Sequence, residues 1–290
     1  MLVTLKENLE KADKENYAVG AFNSPTLESV RAVTEAAEEL QVPVILSHAE
    51  VHNEVIPLEI IGPILVDFAT KASVPVTVHL DHGSSLENVK KAIDLGFSSV
   101  MIDASHLSYD KNVSTVQEVV AYASKYGVSV EAELGVMTSS GIGGEETAGH
   151  EPGGKSPDYL TDPLIAKDFV EKTGIDALAA SFGTVHGIYT KKPALDFNRL
   201  QAIYENIQKP VVMHGGSGLS EGEYRRVIGL GVRKINYYSY AARAAAHVVE
   251  EYLNKEKNVF YHDLTVAAKE AIKNDVKKAM VIFSSPKMKI

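Results

Sequence analysis

The chain has no cysteine in its 290 residues. Disulfides and thiolate metal ligands are therefore excluded, and any metal site has to be built from His, Asp and Glu. No apolar run approaches the roughly 20 residues needed to span a bilayer. Residues 1–11 have mixed charge and no apolar core, so they do not read as a secretory signal. Positive charge is in deficit, with 29 Lys and Arg against 38 Asp and Glu for a formal net charge of −9. Nucleic acids and anionic membranes are held by clustered basic residues, so neither is an expected partner, and any anionic substrate must be bound by local devices. These absences set the expectation of a cytoplasmic protein. No Gly-x-Gly-x-x-Gly opens the first helical pattern, which argues against a dinucleotide fold.

What is present is a 45% hydrophobic chain, of a length that suits one α/β barrel of about 250 residues with extensions. Strand-like runs recur near 17–22, 42–47, 76–80, 98–102, 128–134, 177–182, 211–213 and 233–236, and helical patterns separate them. The interveners carry helix signals: Pro25-Thr-Leu-Glu28 before a long Ala/Glu/Val stretch, Ser84-Ser-Leu-Glu87 as a capping box, and exit glycines at 96, 127, 174 and 231. Eight βα repeats predict a closed (β/α)8 TIM barrel as one domain over 1–290. Residues 135–159 are expected to form a mobile active-site loop and 255–290 a C-terminal helical extension.

Alternation within the runs places Val76, Val78 and Leu80 toward the helices and Thr77, His79 and Asp81 toward the barrel axis. Likewise Val128, Val130, Ala132 and Leu134 face out while Ser129, Glu131 and Glu133 face in. Interior carboxylates are costly unless paired or bound to metal, and few buried lysines or arginines are evident to pair with these, so a site is favoured over a buried ion-pair network.

Three histidines end apolar runs: His82 in Val76-Thr-Val-His-Leu-Asp-His-Gly83, His186 in Ser181-Phe-Gly-Thr-Val-His-Gly187 and His214 in Val211-Val-Met-His-Gly-Gly-Ser-Gly218. One such histidine is usually an ordinary hydrogen-bonded one. Three at strand ends, each followed by a glycine that permits close approach of a ligand, point to one catalytic metal with an open coordination position. Asp81 beside His82 is the candidate for proton transfer or polarisation. Glu145 and Glu146 lie in a glycine-rich stretch that reads either as a lid bringing a carboxylate over substrate or as a solvated loop. Gly215-Gly-Ser-Gly218 after strand seven and Asn236-Tyr-Tyr-Ser239 after strand eight occupy the usual phosphate corner of such barrels.

Taken together these segments resemble the class II, zinc-dependent fructose-bisphosphate and tagatose-bisphosphate aldolases over nearly the whole chain. The likeness is carried by Ala21-Phe-Asn23, His79-Leu-Asp-His-Gly83, Val100-Met-Ile-Asp-Ala-Ser-His106, Val130-Glu-Ala-Glu-Leu-Gly135, Gly143-Gly-Glu-Glu146, Phe182-Gly-Thr-Val-His-Gly187, His214-Gly-Gly-Ser-Gly218 and Lys234-Ile-Asn236. The resemblance implies reversible aldol cleavage of a ketose 1,6-bisphosphate, foremost fructose 1,6-bisphosphate, in a homodimer or homotetramer. It implies His82, His186 and His214 as Zn²⁺ ligands, with Asp103 and Glu133 at a second or displaced divalent position. It implies Asp81 as the group acting on the aldehyde oxygen and Glu146 as the base toward dihydroxyacetone phosphate. Gly187, Gly215, Gly216, Ser217, Asn236, Tyr237, Tyr238 and Ser239 then match the phosphate elements, with a monovalent cation (Na⁺ or K⁺) nearby, and Asn23 and Ser47 match the far end of the sugar.

Two departures bear on substrate. Tyr237, Tyr238 and Tyr240 crowd Asn236 and Ser239 where the family usually has Thr or Ser followed by an acid. The tail carries Lys287 and Lys289 where the family often has an arginine for the distal phosphate, and lysine lacks the bidentate fork. Tagatose 1,6-bisphosphate and ketose 1-phosphates are the alternatives. A metal-dependent hydrolase is disfavoured by the lack of His-x-His in the first strand. A noncatalytic sugar-phosphate binder is disfavoured by Asp81 and Glu146 standing with all three histidines.

Overall fold

The computed structural model describes residues 1–137, 159–189 and 191–284. Eight strands, β1 (Val19–Asn23), β2 (Val44–Ala49), β3 (Val76–Gly83), β4 (Ser99–Ile102), β5 (Ser129–Leu134), β6 (Ala177–Ala180), β7 (Val211–Met213) and β8 (Val232–Tyr237), pair in sequence order, and β8 closes onto β1. Every pairing is parallel. The expected (β/α)8 barrel is therefore the fold.

An amphipathic helix α1 (Leu5–Glu15) precedes the barrel and plugs its lower end. Its Leu5, Leu9 and Ala12 form an apolar cluster with inward residues of the strands, Val19, Ala21, Ile45, Met101, Ala177, Ala179 and Val212. Thr4 and Glu7 cap α1 reciprocally. The buried Arg233 donates to Asp13 on α1 at 2.6 Å and Tyr204 donates to the same oxygen at 2.7 Å, so a charged clasp seals this end.

Helices α2 (Leu27–Leu40), α3 (Leu58–Lys71), α4 (Leu86–Asp94), α5 (Tyr109–Ala123), α6 (Pro163–Thr173), α7 (Phe197–Ile207), α8 (Glu221–Gly229) and α9 (Ser239–Lys255) ring the barrel, and α10 (Tyr261–Phe283) lies across α2 and α9. Outward strand residues Val76, Val78, Leu80, Val130 and Ala132 pack on Leu65, Phe97 and Val116 of this layer, as the alternation requires. The alternate set is Thr77, His79, Asp81, Ser129, Glu131 and Glu133, all of it buried. The barrel is thus apolar below and polar above, and α10 is a C-terminal helix beyond the eight βα units. Among the described residues no helix is long and apolar enough to cross a membrane.

One helix start differs from expectation. Both the N–H and the hydroxyl of Ser84 are taken by Glu50, each at 2.7 Å, so the cap of α4 moves one residue on to Ser85, which accepts from the Asn88 N–H at 3.2 Å. The strap between Glu50 and Ser84 ties the β2 exit to the β3 exit.

Gly231 before β8 has φ +106°, and a Cβ there would lie 2.1 Å from the Tyr204 ring. Gly229, helical in α8, has no atom within 4 Å of that position. Gly231→Ala should lose at least ~2 kcal/mol in urea denaturation through strain and overpacking. Gly229→Ala should gain ~0.5–1 kcal/mol. Equal effects would contradict the close packing of Tyr204 over the turn.

Candidate active site

The upper polar layer is organised by an irregularity in β3. Regular alternation would send Asp81 and His82 to opposite faces. His82 instead has φ +49°, and the register with β4 shifts between Leu80 and Gly83, so both side chains reach the mouth of the barrel. A bulge at a strand end is the device that re-aims a side chain in this way.

His82 from β3, His186 from the segment after β6 and His214 from the end of β7 bring ring nitrogens within 4.8 Å of one another. His82 Nε2 and His214 Nδ1 are 2.8 Å apart. Ligands at 2.0–2.1 Å on a tetrahedral ion are separated by roughly 3.3 Å, so the His82–His214 pair needs only a slight opening to share one. The outer nitrogens are already anchored. His82 Nδ1 lies 3.1 Å from Asp103 Oδ2, and His214 Nε2 lies 2.9 Å from Glu131 Oε1. Asp103 is itself fixed by the Ser105 N–H and hydroxyl. Carboxylates on the far side of imidazoles orient metal-binding histidines and raise their basicity.

Orphaned atoms complete the fit to a cation. His186 Nδ1 and Glu133 Oε2 are buried without a hydrogen-bond partner among the described residues. Burial, with His82 and His214 adding to it, holds the pKa of His186 well below the usual imidazole value, so the ring is a neutral donor. Burial and Asp103 push Glu133 well above the usual carboxylate range. His82, Asp103 and Glu133 make a second group with the same 4.8 Å spread.

Asp81 is buried and held from two sides. Asn23 Nδ2 donates to its Oδ2 at 3.0 Å, and Asn236 Nδ2 donates to Oδ1 at 3.1 Å. Burial by itself raises its pKa, but His82 and then Lys234 outweigh it and keep the carboxyl well below its ordinary range. Beside it opens a cavity lined by Asn23, Asp81, His186, Gly187, Gly215, Ser217, Asn236, Tyr237, Tyr238 and Ser239.

This barrel-mouth arrangement has counterparts among known proteins. The family model "Fructose-bisphosphate aldolase class-II" matches residues 3–287. The chain belongs to the class-II fructose-bisphosphate aldolase family. It is 40% identical over 290 residues to the fructose-bisphosphate aldolase of Staphylococcus aureus strain Mu50, covering 98% of both. It is 39% identical to the 6-phospho-5-dehydro-2-deoxy-D-gluconate aldolase of Halalkalibacterium halodurans, over 98% of this chain and 96% of that one. The crystal structure of the YdjI aldolase from Escherichia coli K12 superposes with a TM-score of 0.86 at 31% identity, covering 99% of each chain. The chain is thus a class II aldolase, a carbon–carbon lyase of a metal-dependent family that acts on phosphorylated sugars.

Within this aldolase, nearly every expected binding residue meets at one cavity. Ser47 is not among its lining residues; its hydroxyl is buried without a partner among the described residues. Gly216 stands behind the lining, its N–H on the Asn236 carbonyl. Tyr237 reaches away with its hydroxyl, which donates to Asp275 on α10 at 2.9 Å. The glycines after the histidines answer to the protein's own backbone rather than only to a ligand: a Cβ on Gly215 would lie 2.2 Å from the Val185 carbonyl oxygen, and one on Gly83 2.7 Å from that of Met101. Glu145, Glu146, Lys287 and Lys289 lie outside the described residues.

Sequence reasoning missed Lys234. Its ammonium is fully buried, 2.8 Å from Glu131 Oε2 and 3.3 Å from His79 Nε2, and the His79 ring is anchored at Nδ1 by Ser99 at 2.8 Å. Burial and then Lys234 push the pKa of His79 down to about 3, so His79 is neutral and accepts from the lysine. Burial would raise Glu131, but Lys234 and the His214 hydrogen bond bring it to about 2. Glu131 therefore belongs to the buried ion pair that the scarcity of basic residues argued against. The available signal was parity, since Lys234 is two residues from Asn236 on β8.

Lys234→Met should cost ~3–5 kcal/mol in urea denaturation, because it strands the Glu131 charge. Adding Glu131→Gln should recover at least ~1 kcal/mol of that loss. Additive losses in the double variant would show that the two residues are not coupled.

Proposed function

We propose that this aldolase cleaves fructose 1,6-bisphosphate reversibly to dihydroxyacetone phosphate and glyceraldehyde 3-phosphate. The observation that carries the reading is the meeting of three imidazoles, an amide-held carboxylate and a glycine-rich loop at the mouth of the barrel. His82, His186 and His214 hold Zn²⁺, which supplies, when bound, the Lewis acid that polarises the ketone carbonyl. Asp81, kept ionised by its surroundings, takes the proton of the C4 hydroxyl during cleavage and returns it to the aldehyde oxygen during condensation. Asn23 and Asn236 fix the carboxylate for that transfer. Glu146 moves the proton on the dihydroxyacetone phosphate carbon. Asp103 and Glu133 take a second divalent ion, and the loop from Gly215 with Asn236 to Ser239 takes the phosphate with a monovalent cation beside it. The working protein is a cytoplasmic homodimer or homotetramer in this reading, with a place in glycolysis.

Exchange of the dihydroxyacetone phosphate hydrogen with solvent tests these roles in one assay. Chelated protein should not exchange it, and Zn²⁺ should restore exchange. Glu146→Ala should reduce it by about 10²–10⁴-fold, whereas Asp81→Ala should keep exchange and lose carbon–carbon cleavage by a similar factor. Full exchange in metal-free protein rejects the metal reading, and wild-type exchange in the Glu146 variant rejects that base.

One observation favours a second substrate. Among the described residues no Lys or Arg lines the cavity, which fits a ketose 1-phosphate without a distal phosphate. Discrimination by kcat/KM between fructose 1,6-bisphosphate and fructose 1-phosphate should then be modest, fall with salt, and shrink further in Lys287→Ala, Lys289→Ala. A large preference that the double variant leaves untouched places the distal phosphate on other residues.

A further inference from the structure

A glycine-rich loop can turn either its N–H groups or its carbonyl oxygens toward a cavity, and only the first attracts an anion. In the loop after β7 two phenols decide the matter. Tyr189, on the segment after β6, donates its hydroxyl hydrogen to the Gly215 carbonyl at 2.5 Å, and Tyr224, on α8, donates to the Gly216 carbonyl at 2.5 Å. Tyr224 is buried, its ring edge-on to Phe283 with centroids 4.9 Å apart, so its hydroxyl is delivered from a fixed position. Burial pushes both phenols up, and both are donors throughout the physiological pH range.

In a trans peptide the C=O and the following N–H point in opposite directions. Drawing the Gly215 carbonyl back to Tyr189 sends the Gly216 N–H the other way, onto the Asn236 carbonyl of β8 at 3.2 Å, which clips the loop to the barrel. Drawing the Gly216 carbonyl to Tyr224 likewise sends the Ser217 N–H the opposite way, away from the Tyr224 hydroxyl, and Ser217 is one of the residues that line the cavity. That N–H has no partner among the described residues. The Ser217 hydroxyl is occupied as well, accepting the Tyr238 N–H at 3.0 Å, so side chain and backbone of Ser217 are both fixed.

We infer that Tyr189 and Tyr224 are positioning residues that hold the 215–217 backbone with its free donor toward the cavity, and so make the loop selective for the phosphate of dihydroxyacetone phosphate. The inference rests on the phosphate-binding role proposed above for this loop. It adds two residues that touch no substrate and act through the peptide planes of others.

The test compares aldol condensation of glyceraldehyde 3-phosphate with dihydroxyacetone phosphate and with unphosphorylated dihydroxyacetone, in the metal-loaded wild type, Tyr224→Phe and Tyr189→Phe. Each variant removes one oxygen from a packed ring. Loss of the hydrogen bond should raise KM for dihydroxyacetone phosphate by about tenfold. The kcat should change little, activity toward dihydroxyacetone should stay at the wild-type level, and inhibition by inorganic phosphate should weaken in parallel. A wild-type preference for the phosphorylated ketone that survives in both variants overturns the inference. So does an equal loss on both ketones, which marks general damage. A wild type without any preference rejects the phosphate role of the loop itself. Should Tyr224→Phe fail to fold, Tyr189→Phe on the less buried ring decides alone.

Discussion

Uncompensated negative charge in the upper half of the barrel is the constraint on which the rest of this structure turns. Asp81, Glu131 and Glu133 are buried there with Asp103 half-buried beside them, and among the described residues Lys234 is the one buried ammonium in this group. Removing a carboxylate from water costs several kcal/mol unless charge or hydrogen bonds replace the solvent. Each acid meets that demand differently. Glu131 has Lys234 and His214, Asp81 has two amides, Asp103 has Ser105 and His82, and Glu133 has one oxygen without a partner among the described residues. The negative charge that remains lies beside the three imidazoles, whose nitrogens lie close enough together to hold a metal ion.

The same constraint separates a rigid lower half from a working upper half. Below, α1 and the apolar inward residues fill the barrel and the Asp13–Arg233 clasp closes it. Above, side chains are held by other side chains rather than by simple packing, and the backbone is bent so that two adjacent residues share one side, as at His82. The Glu50 strap to Ser84 and Asn88 steadies the β3 exit just beyond that bend.

Much of this was legible in one dimension because it repeats locally. The eight alternating runs, the helix signal at Pro25–Glu28 and the exit glycines predicted a barrel whose inward face on β3 and β5 was polar, and the strand-end histidines, which the fold brings together, were visible as a set. Ser84 was misread as a cap because its competing partner, Glu50, is 34 positions away. Lys234 was overlooked because a lysine's burial depends on what faces it across the barrel, here a glutamate 103 positions earlier. The tyrosines behind the glycine loop carried no motif, since phenols supporting a backbone carbonyl can come from any neighbouring element.

The sequence by itself determined the periodicities, the residue types at each strand end and the family likeness, because those depend on spacing along the chain. Only the tertiary structure decided which carboxylate pairs with lysine and which keeps an oxygen without a partner among the described residues, how His82 comes to share a side with Asp81, and how the loop after β7 is tied to β8. Those outcomes depend on strand register and on peptide orientation, which are set where distant segments meet.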